Sequence, residues 1–148
     1  MIQQKKDMLI DMISAFLLLL FLYTAVTKLY DYHAFRYILS QSPLIRQWAY
    51  LLSWVLPCIE IIIAVLLFIK GTRPAGLYTS LFLLAIFTVY LIYAVIFSNA
   101  SMPCSCGGAV SRLSWKQHIL FNLFFICTSI IGIRLFKQDK KSSPNSPP

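Results

Sequence analysis

Four long apolar segments, separated by short polar stretches, constrain this chain more than any other feature of its sequence. They run from about residue 9 to 27, 48 to 69, 76 to 97 and 115 to 136. About 20 apolar residues in a helix cross the roughly 30 Å hydrocarbon core of a bilayer. Only 12% of the residues are charged, about half the roughly 25% typical of soluble domains. The sequence therefore predicts an all-α, polytopic membrane protein, with a four-transmembrane-helix bundle in one domain over residues 1–137.

The first apolar segment has a competing interpretation as a secretory signal peptide, because Lys5 and Lys6 precede it. Such peptides have a short apolar region followed by small residues at the cleavage site. Here the apolar region is long, and Ala25-Val26-Thr27 is a poor cleavage site. We therefore expect the segment to be kept as the first membrane span.

The polar connections differ in length and character. Residues 70–74 join the second and third spans so tightly that these helices must be antiparallel neighbours. Residues 28–47 are aromatic and polar, which is typical of a segment in the lipid headgroup zone, and Ser42 followed by Pro43 suggests the start of a short helix. Residues 138–148 are charged and then rich in Ser and Pro, which predicts a disordered tail.

The basic residues lie at the edges of the apolar segments, where they indicate topology and give no sign of nucleic-acid binding. Four spans place both termini and the 70–74 connection on one side, which holds eight basic residues against five on the other. Cytoplasmic loops of membrane proteins are enriched in Lys and Arg. The eight are Lys5, Lys6, Lys70, Arg73, Arg134, Lys137, Lys140 and Lys141, and the five are Lys28, Arg36, Arg46, Arg112 and Lys116. The termini are thus predicted to be cytoplasmic, and the connection between the third and fourth spans extracytoplasmic.

That outer connection contains Cys104 and Cys106, one residue apart and followed by Gly107-Gly108. A disulfide within Cys-x-Cys is geometrically tight, since the two Cα atoms must lie within about 6.8 Å. The glycines supply the backbone freedom for such a turn. Strained, exposed disulfides are readily reduced, which favours exchange with another protein. The alternatives are a structural disulfide, two idle thiols and a metal site.

The metal alternative uses the two histidines of the chain, His33 and His118, which fall on the same predicted side as Cys104 and Cys106. Two thiolates and two imidazoles suit Zn²⁺ or Cu(I). However, Cys-x-Cys is not a usual spacing for structural zinc. Each histidine alone is more typical of an interfacial polar residue.

Glu60 lies within the second apolar segment, where a carboxylate is costly and normally faces the bundle interior with a partner. Two roles remain open: proton transfer, for instance to a quinone, or a structural hydrogen bond to a Tyr, a Thr or Asn122. Cys58 and Cys127 also fall at mid-depth, in the second and fourth segments. They could relay electrons from the outer loop, although buried cysteine usually behaves as a small apolar residue.

Several short motifs follow one another between about residues 14 and 133. They are Lys28-Leu29 followed by Phe35, Leu56-Pro57-x-x-Glu60, Cys104-x-Cys106-Gly107-Gly108, and Ser114-Trp115 followed by Asn122. In this order they resemble the MauE branch of the DoxX-like membrane proteins. That family commonly has an aromatic residue between the second cysteine and the glycine, so Gly107-Gly108 leaves a looser loop here.

The resemblance implies a four-helix protein of the bacterial cytoplasmic membrane that supports redox maturation of exported proteins. MauE is linked to methylamine utilisation, where it is thought to assist disulfide formation in, or export of, a methylamine dehydrogenase subunit. The expected partner is an exported thioredoxin-like or substrate protein, and the activity, if enzymatic, is thiol–disulfide oxidoreduction. Cys104 and Cys106 would then be the redox pair.

Two other functions stay open at this stage. One is a non-enzymatic assembly or transport partner with a structural disulfide. The other is a quinone-linked oxidoreductase subunit, because DoxX relatives are linked to quinone and the topology is similar to that of DsbB and the VKOR family. Those thiol oxidases usually carry Cys-x-x-Cys at the quinone site, which this sequence lacks. The oligomeric state is not indicated by any pattern in the chain.

Overall fold

A computed structural model describes residues 2–97 and 115–142 of the chain. Five α-helices form this part of the protein: α1 (Ile2–Tyr30), α2 (Tyr32–Gln41), α3 (Ala49–Phe68), α4 (Arg73–Phe97) and α5 (Trp115–Ser142). Short 3₁₀ turns at Arg46–Trp48 and Lys70–Thr72 lead into α3 and α4. No strand occurs in the described ranges. The predicted all-α fold is confirmed.

Four of these helices are long and apolar enough to cross a membrane, as the sequence predicts. The candidate spans are Gln4–Tyr30, Arg46–Phe68, Lys70–Phe97 and Lys116–Lys141. The helices extend beyond the predicted spans because Gln, Lys and Arg are good helix formers. Hydropathy marks the edge of the membrane, whereas hydrogen bonding sets the end of the helix. Residues 138–142, predicted to belong to a disordered tail, continue α5 for this reason.

The four spanning helices pack as a bundle in which α1 contacts α3 and α5, and α4 contacts the same two helices. Leu17, Leu67 and Leu77 are almost fully buried at its centre, together with Phe21 and Phe125. Most large apolar side chains on the outer faces are exposed, as expected for helices surrounded by lipid. The core is therefore narrow, and lipid supplies the apolar environment on the outside.

Small residues allow the helices to approach closely. Ser14, Ser53, Ser80 and Ser129 are buried almost completely, and the hydroxyl groups of Ser80 and Ser129 donate to the carbonyl oxygens of Gly76 and Phe125. Helix association in membranes depends on such small residues, because lipid removes the hydrophobic driving force. A Cβ atom at Gly76 would lie 3.0 Å from both the side chain and the backbone nitrogen of Leu67. The contact between α3 and α4 at this point leaves little room for any side chain larger than that of glycine.

The connection between α1 and α3 contains a helix that the sequence pattern did not place correctly. Ser42, predicted to begin a short helix with Pro43, instead ends α2, and its N–H donates to the carbonyl of Leu39. Phe35 and Leu39 on one face of α2 are buried against Ala49 of α3. Proline commonly follows a helix end because it cannot continue the helix. The connection is thus a short amphipathic helix docked on the bundle.

Candidate functional site

A buried ion pair joins the first and third helices of the described chain. The ammonium of Lys28, near the end of α1, contacts the Glu60 carboxylate from the middle of α3. The two side chains are 3% and 4% exposed. Taking both charges away from water is costly, and only close pairing with further polar contacts offsets that cost. Such a pair at membrane depth is a reason to look for function nearby.

Aromatic rings complete the surroundings of the lysine. The Lys28 Nζ atom lies 5.5 Å from the centre of the Phe35 ring and 5.2 Å from that of Phe87. A cation within about 6 Å of a ring centre is attracted by the negative face of the ring. Phe35 belongs to α2 and Phe87 to α4, whereas the ion pair joins α1 to α3. Four helices therefore contribute side chains to the surroundings of the two charges. Phe35 thereby connects the amphipathic helix α2 to the site.

The fifth helix adds two polar side chains to the same place. His118 and Asn122 are four residues apart, so they lie on one face of α5, and they are 4% and 6% exposed. Both line a cavity of about 50 Å³ that also borders Lys28, Glu60 and Thr24. Within the described ranges, Nδ1 of His118 is buried without a hydrogen-bond partner. The remaining wall is apolar and comprises Leu20, Phe21, Leu83, Leu84, Phe87 and Phe121.

The cavity lies towards the end of the bundle at which α4 finishes and α5 begins. His118 is in the first turn of α5, and Lys28 is in the last turn of α1. The opposite end is marked by the exposed ion pair between Asp11 of α1 and Arg73 of α4. Chain connectivity attaches both ends of the segment 98–114 to the same end as the cavity. Cys104 and Cys106, the predicted redox pair, are in that segment and lie outside the described residues.

Glu60 faces the bundle interior with a partner, as the sequence predicts, and Lys28 is a partner that the sequence did not indicate. Lys28 directly follows the apolar run that stops at Thr27, and a lysine at this place is expected to be an anchor or to form an interhelical hydrogen bond. The structure shows the interhelical hydrogen bond. In the structure α1 continues to Tyr30, and this places Lys28 inside the helix and on its buried face. Asn122, one of the expected partners, lines the same cavity. The pair could have been predicted from the sequence, because each of the two residues is an isolated charge within or beside an apolar helix.

The other predicted residues are distributed differently. His33 is exposed on α2, whereas His118 is buried in the cavity. Cys58 and Cys127 are both exposed on the outside of the bundle, and neither lines the cavity. No cluster of three or more His, Cys, Asp or Glu side chains that could hold a metal occurs in the described ranges. The alternative metal set of Cys104, Cys106, His33 and His118 stays a prediction, since both cysteines fall in the segment 98–114.

The size of the cavity bears on the quinone expectation. An engineered protein cavity that takes up benzene measures roughly 150 Å³, whereas the cavity beside Glu60 measures about 50 Å³. Its polar groups are suitable for a carbonyl oxygen, but its enclosed volume is smaller than a six-membered ring needs. A quinone that reaches these groups must therefore keep its ring at the open side of the cavity.

The chain matches a known protein family over most of its length. The family described as methylamine utilisation protein MauE matches residues 6–135. No curated protein and no solved structure matches the chain significantly. The matched range covers the second and third candidate spans in full and most of the first and fourth. It also contains the Lys28–Glu60 pair, His118, Asn122 and the Cys-x-Cys stretch.

Proposed function

Since the chain belongs to the MauE family, we propose that this multi-pass membrane protein supports disulfide formation in exported proteins through Cys104 and Cys106. The observation that carries the proposal is the pair of cysteines one residue apart, in the segment attached to the cavity end of the bundle. The described helices supply a rigid frame for both ends of that segment. The family's association with methylamine utilisation makes an exported protein of that process one suitable substrate.

The proposed reaction is thiol–disulfide exchange. A thiolate of the partner attacks the Cys104–Cys106 disulfide, one S–S bond breaks, and a mixed disulfide forms. The second partner thiol then releases the mixed disulfide, so the partner gains an intramolecular disulfide and this chain becomes a dithiol. Two electrons and two protons pass from the partner to the Cys104–Cys106 pair. Exchange with an oxidised disulfide protein restores the starting state.

The exchange step is tested with a trapping variant. In a Cys58→Ala and Cys127→Ala background, Cys106→Ser leaves one thiol that can form a mixed disulfide but cannot resolve it. With the purified protein in nanodiscs and thioredoxin carrying a single activated thiol as the probe, we expect a covalent adduct that dithiothreitol removes. In a cell-based assay of disulfide formation in an exported reporter, each single Cys→Ser variant should lose at least about tenfold in rate.

The matched control is the variant with serine at both 104 and 106, which should form no adduct. Full reporter activity in both single variants would refute the proposal. The second candidate function is that of a non-enzymatic assembly or transport partner, in which Cys104 and Cys106 form a structural disulfide. Exposed aromatic side chains that could dock a partner, such as Tyr30, Tyr37 and Trp48, support this function. That role predicts an intact pair after incubation with strong reductant, measured as the mass added by alkylation.

The proposal also assigns a side of the membrane. Both termini lie in the cytoplasm of a bacterium, and the segment 98–114 faces the outside, where thiols are oxidised. In intact cells treated with reductant, a membrane-impermeant maleimide should label Cys104 and Cys106 in the Cys58→Ala and Cys127→Ala background. Labelling that requires permeabilised membranes would place the segment in the cytoplasm and contradict the assigned topology.

A further inference from the structure

The cavity between α1, α3 and α5 contains an unusual set of groups for its small volume. Lys28 and Glu60 form its charged wall, and His118, Asn122 and Thr24 supply further polar atoms. Nδ1 of His118 is buried and has no hydrogen-bond partner in the part of the chain that the structure describes. A buried polar atom without a partner costs about 1–3 kcal/mol. The expected remedy in a polar cavity is water.

The dimensions agree with water as the occupant. A cavity needs at least roughly 10–15 Å³ to hold one water molecule, and this cavity of about 50 Å³ exceeds that minimum. Each internal water normally needs two to four polar partners, and the five polar side chains around the cavity can provide them. The rest of the cavity wall is apolar and includes Phe21, Phe87 and Phe121.

We propose that this cavity is a hydrated proton-exchange site, in which His118 exchanges a proton through internal water with the Lys28–Glu60 pair. Imidazole is suited to this role because each of its ring nitrogens can give up or accept a proton near neutral pH. The titratable and charged groups that line the cavity are Lys28 on α1 and Glu60 on α3, while α4 contributes only apolar side chains. A proton passed between His118 and this pair therefore crosses the internal water.

The site would carry protons between the interior of the bundle and the membrane surface at the end where α5 begins. His118 lies within one turn of the start of α5, so it is the cavity's polar group nearest that end on this helix. Thiol–disulfide exchange moves protons as well as electrons, and a reservoir at this end would serve the reaction proposed above. The proton-exchange site itself is defined by described residues alone, so it is tested separately from the cysteines.

The chain has only two histidines, which allows each imidazole to be observed alone. With ¹⁵N-histidine and the protein in nanodiscs, His33→Gln leaves His118 as the only labelled ring. We expect magnetisation transfer from water to His118 by NMR. Thr24→Leu, which places a larger apolar side chain at the cavity wall, should slow proton exchange of the imidazole with water at least about tenfold.

Two matched variants complete the experiment. Leu123→Phe changes a lipid-exposed position on the same helix and should leave the exchange rate unchanged. Asn122→Leu removes one water partner without adding a large group, and should slow the exchange as Thr24→Leu does. A His118 ring without contact to water, or an exchange rate equal in all variants, would overturn the proposal. The measurement repeated with serine at 104 and 106 should give the same rates, which separates this inference from the proposed disulfide exchange.

Discussion

Replacement of Glu60 by leucine should destabilise the folded protein by about 3–5 kcal/mol, since it leaves the Lys28 ammonium buried without its counter-charge. Lys28→Met should have an effect of similar size, because the Glu60 carboxylate then loses its cation. The magnitude follows from the burial of both side chains, of which no more than 4% is exposed. Unfolding of the purified protein, followed by circular dichroism in a titration of denaturing detergent, measures the change.

The double variant Lys28→Met/Glu60→Leu distinguishes the cost of an unpaired charge from the value of the pair. Well-packed apolar substitutes for a buried ion pair are often neutral or stabilising, so the double variant should be more stable than either single one. The exposed pair between Asp11 and Arg73 is the matched control, since 51% of the Asp11 side chain is exposed. Asp11→Asn should change stability by less than about 1 kcal/mol. Equal losses at the two pairs, or no recovery in the double variant, would contradict this account.

Gly76→Val should separate α3 from α4 and destabilise the protein by about 1–3 kcal/mol, the usual cost of overpacking. The new Cβ would lie 3.0 Å from the backbone nitrogen of Leu67, which cannot rotate away as a side-chain atom can. Gly71 provides the control, because no atom lies within 4 Å of a Cβ placed there. Gly71→Val should therefore remain within about 0.5 kcal/mol of the unmodified protein. The same unfolding titration measures both variants, and equal stability of the two would refute the role of close packing at Gly76.

The sequence predicts the bundle well because hydropathy and helix length are properties of each segment alone. Four apolar runs of about 20 residues leave few alternatives in a membrane, and the structure has four helices at those places. The position of Glu60 in the interior follows from the same reasoning, since an isolated carboxylate is too costly to face lipid.

The polar site is less predictable, because its residues come from different helices and meet only after packing. Lys28 is an example: a lysine at the end of an apolar run normally extends towards the headgroups, and only the continuation of α1 to Tyr30 places it inside. The helix α2 could have been recognised from Phe35 and Leu39, which are spaced four residues apart within a polar stretch. His118 and Asn122 have the same spacing, but their burial depends on which face of α5 meets α1.

Because α1 precedes α3 in the chain, Lys28 is synthesised before its partner Glu60. Lys28, near the end of α1, can extend its ammonium to the headgroups until α3 packs against it. Glu60 is in the middle of its helix and has no such route to water. The lysine that is already in place can therefore receive the carboxylate as α3 inserts. An α3 helix that inserts without α1 leaves this carboxylate without its cation, so the pair makes the stability of α3 in the membrane depend on α1.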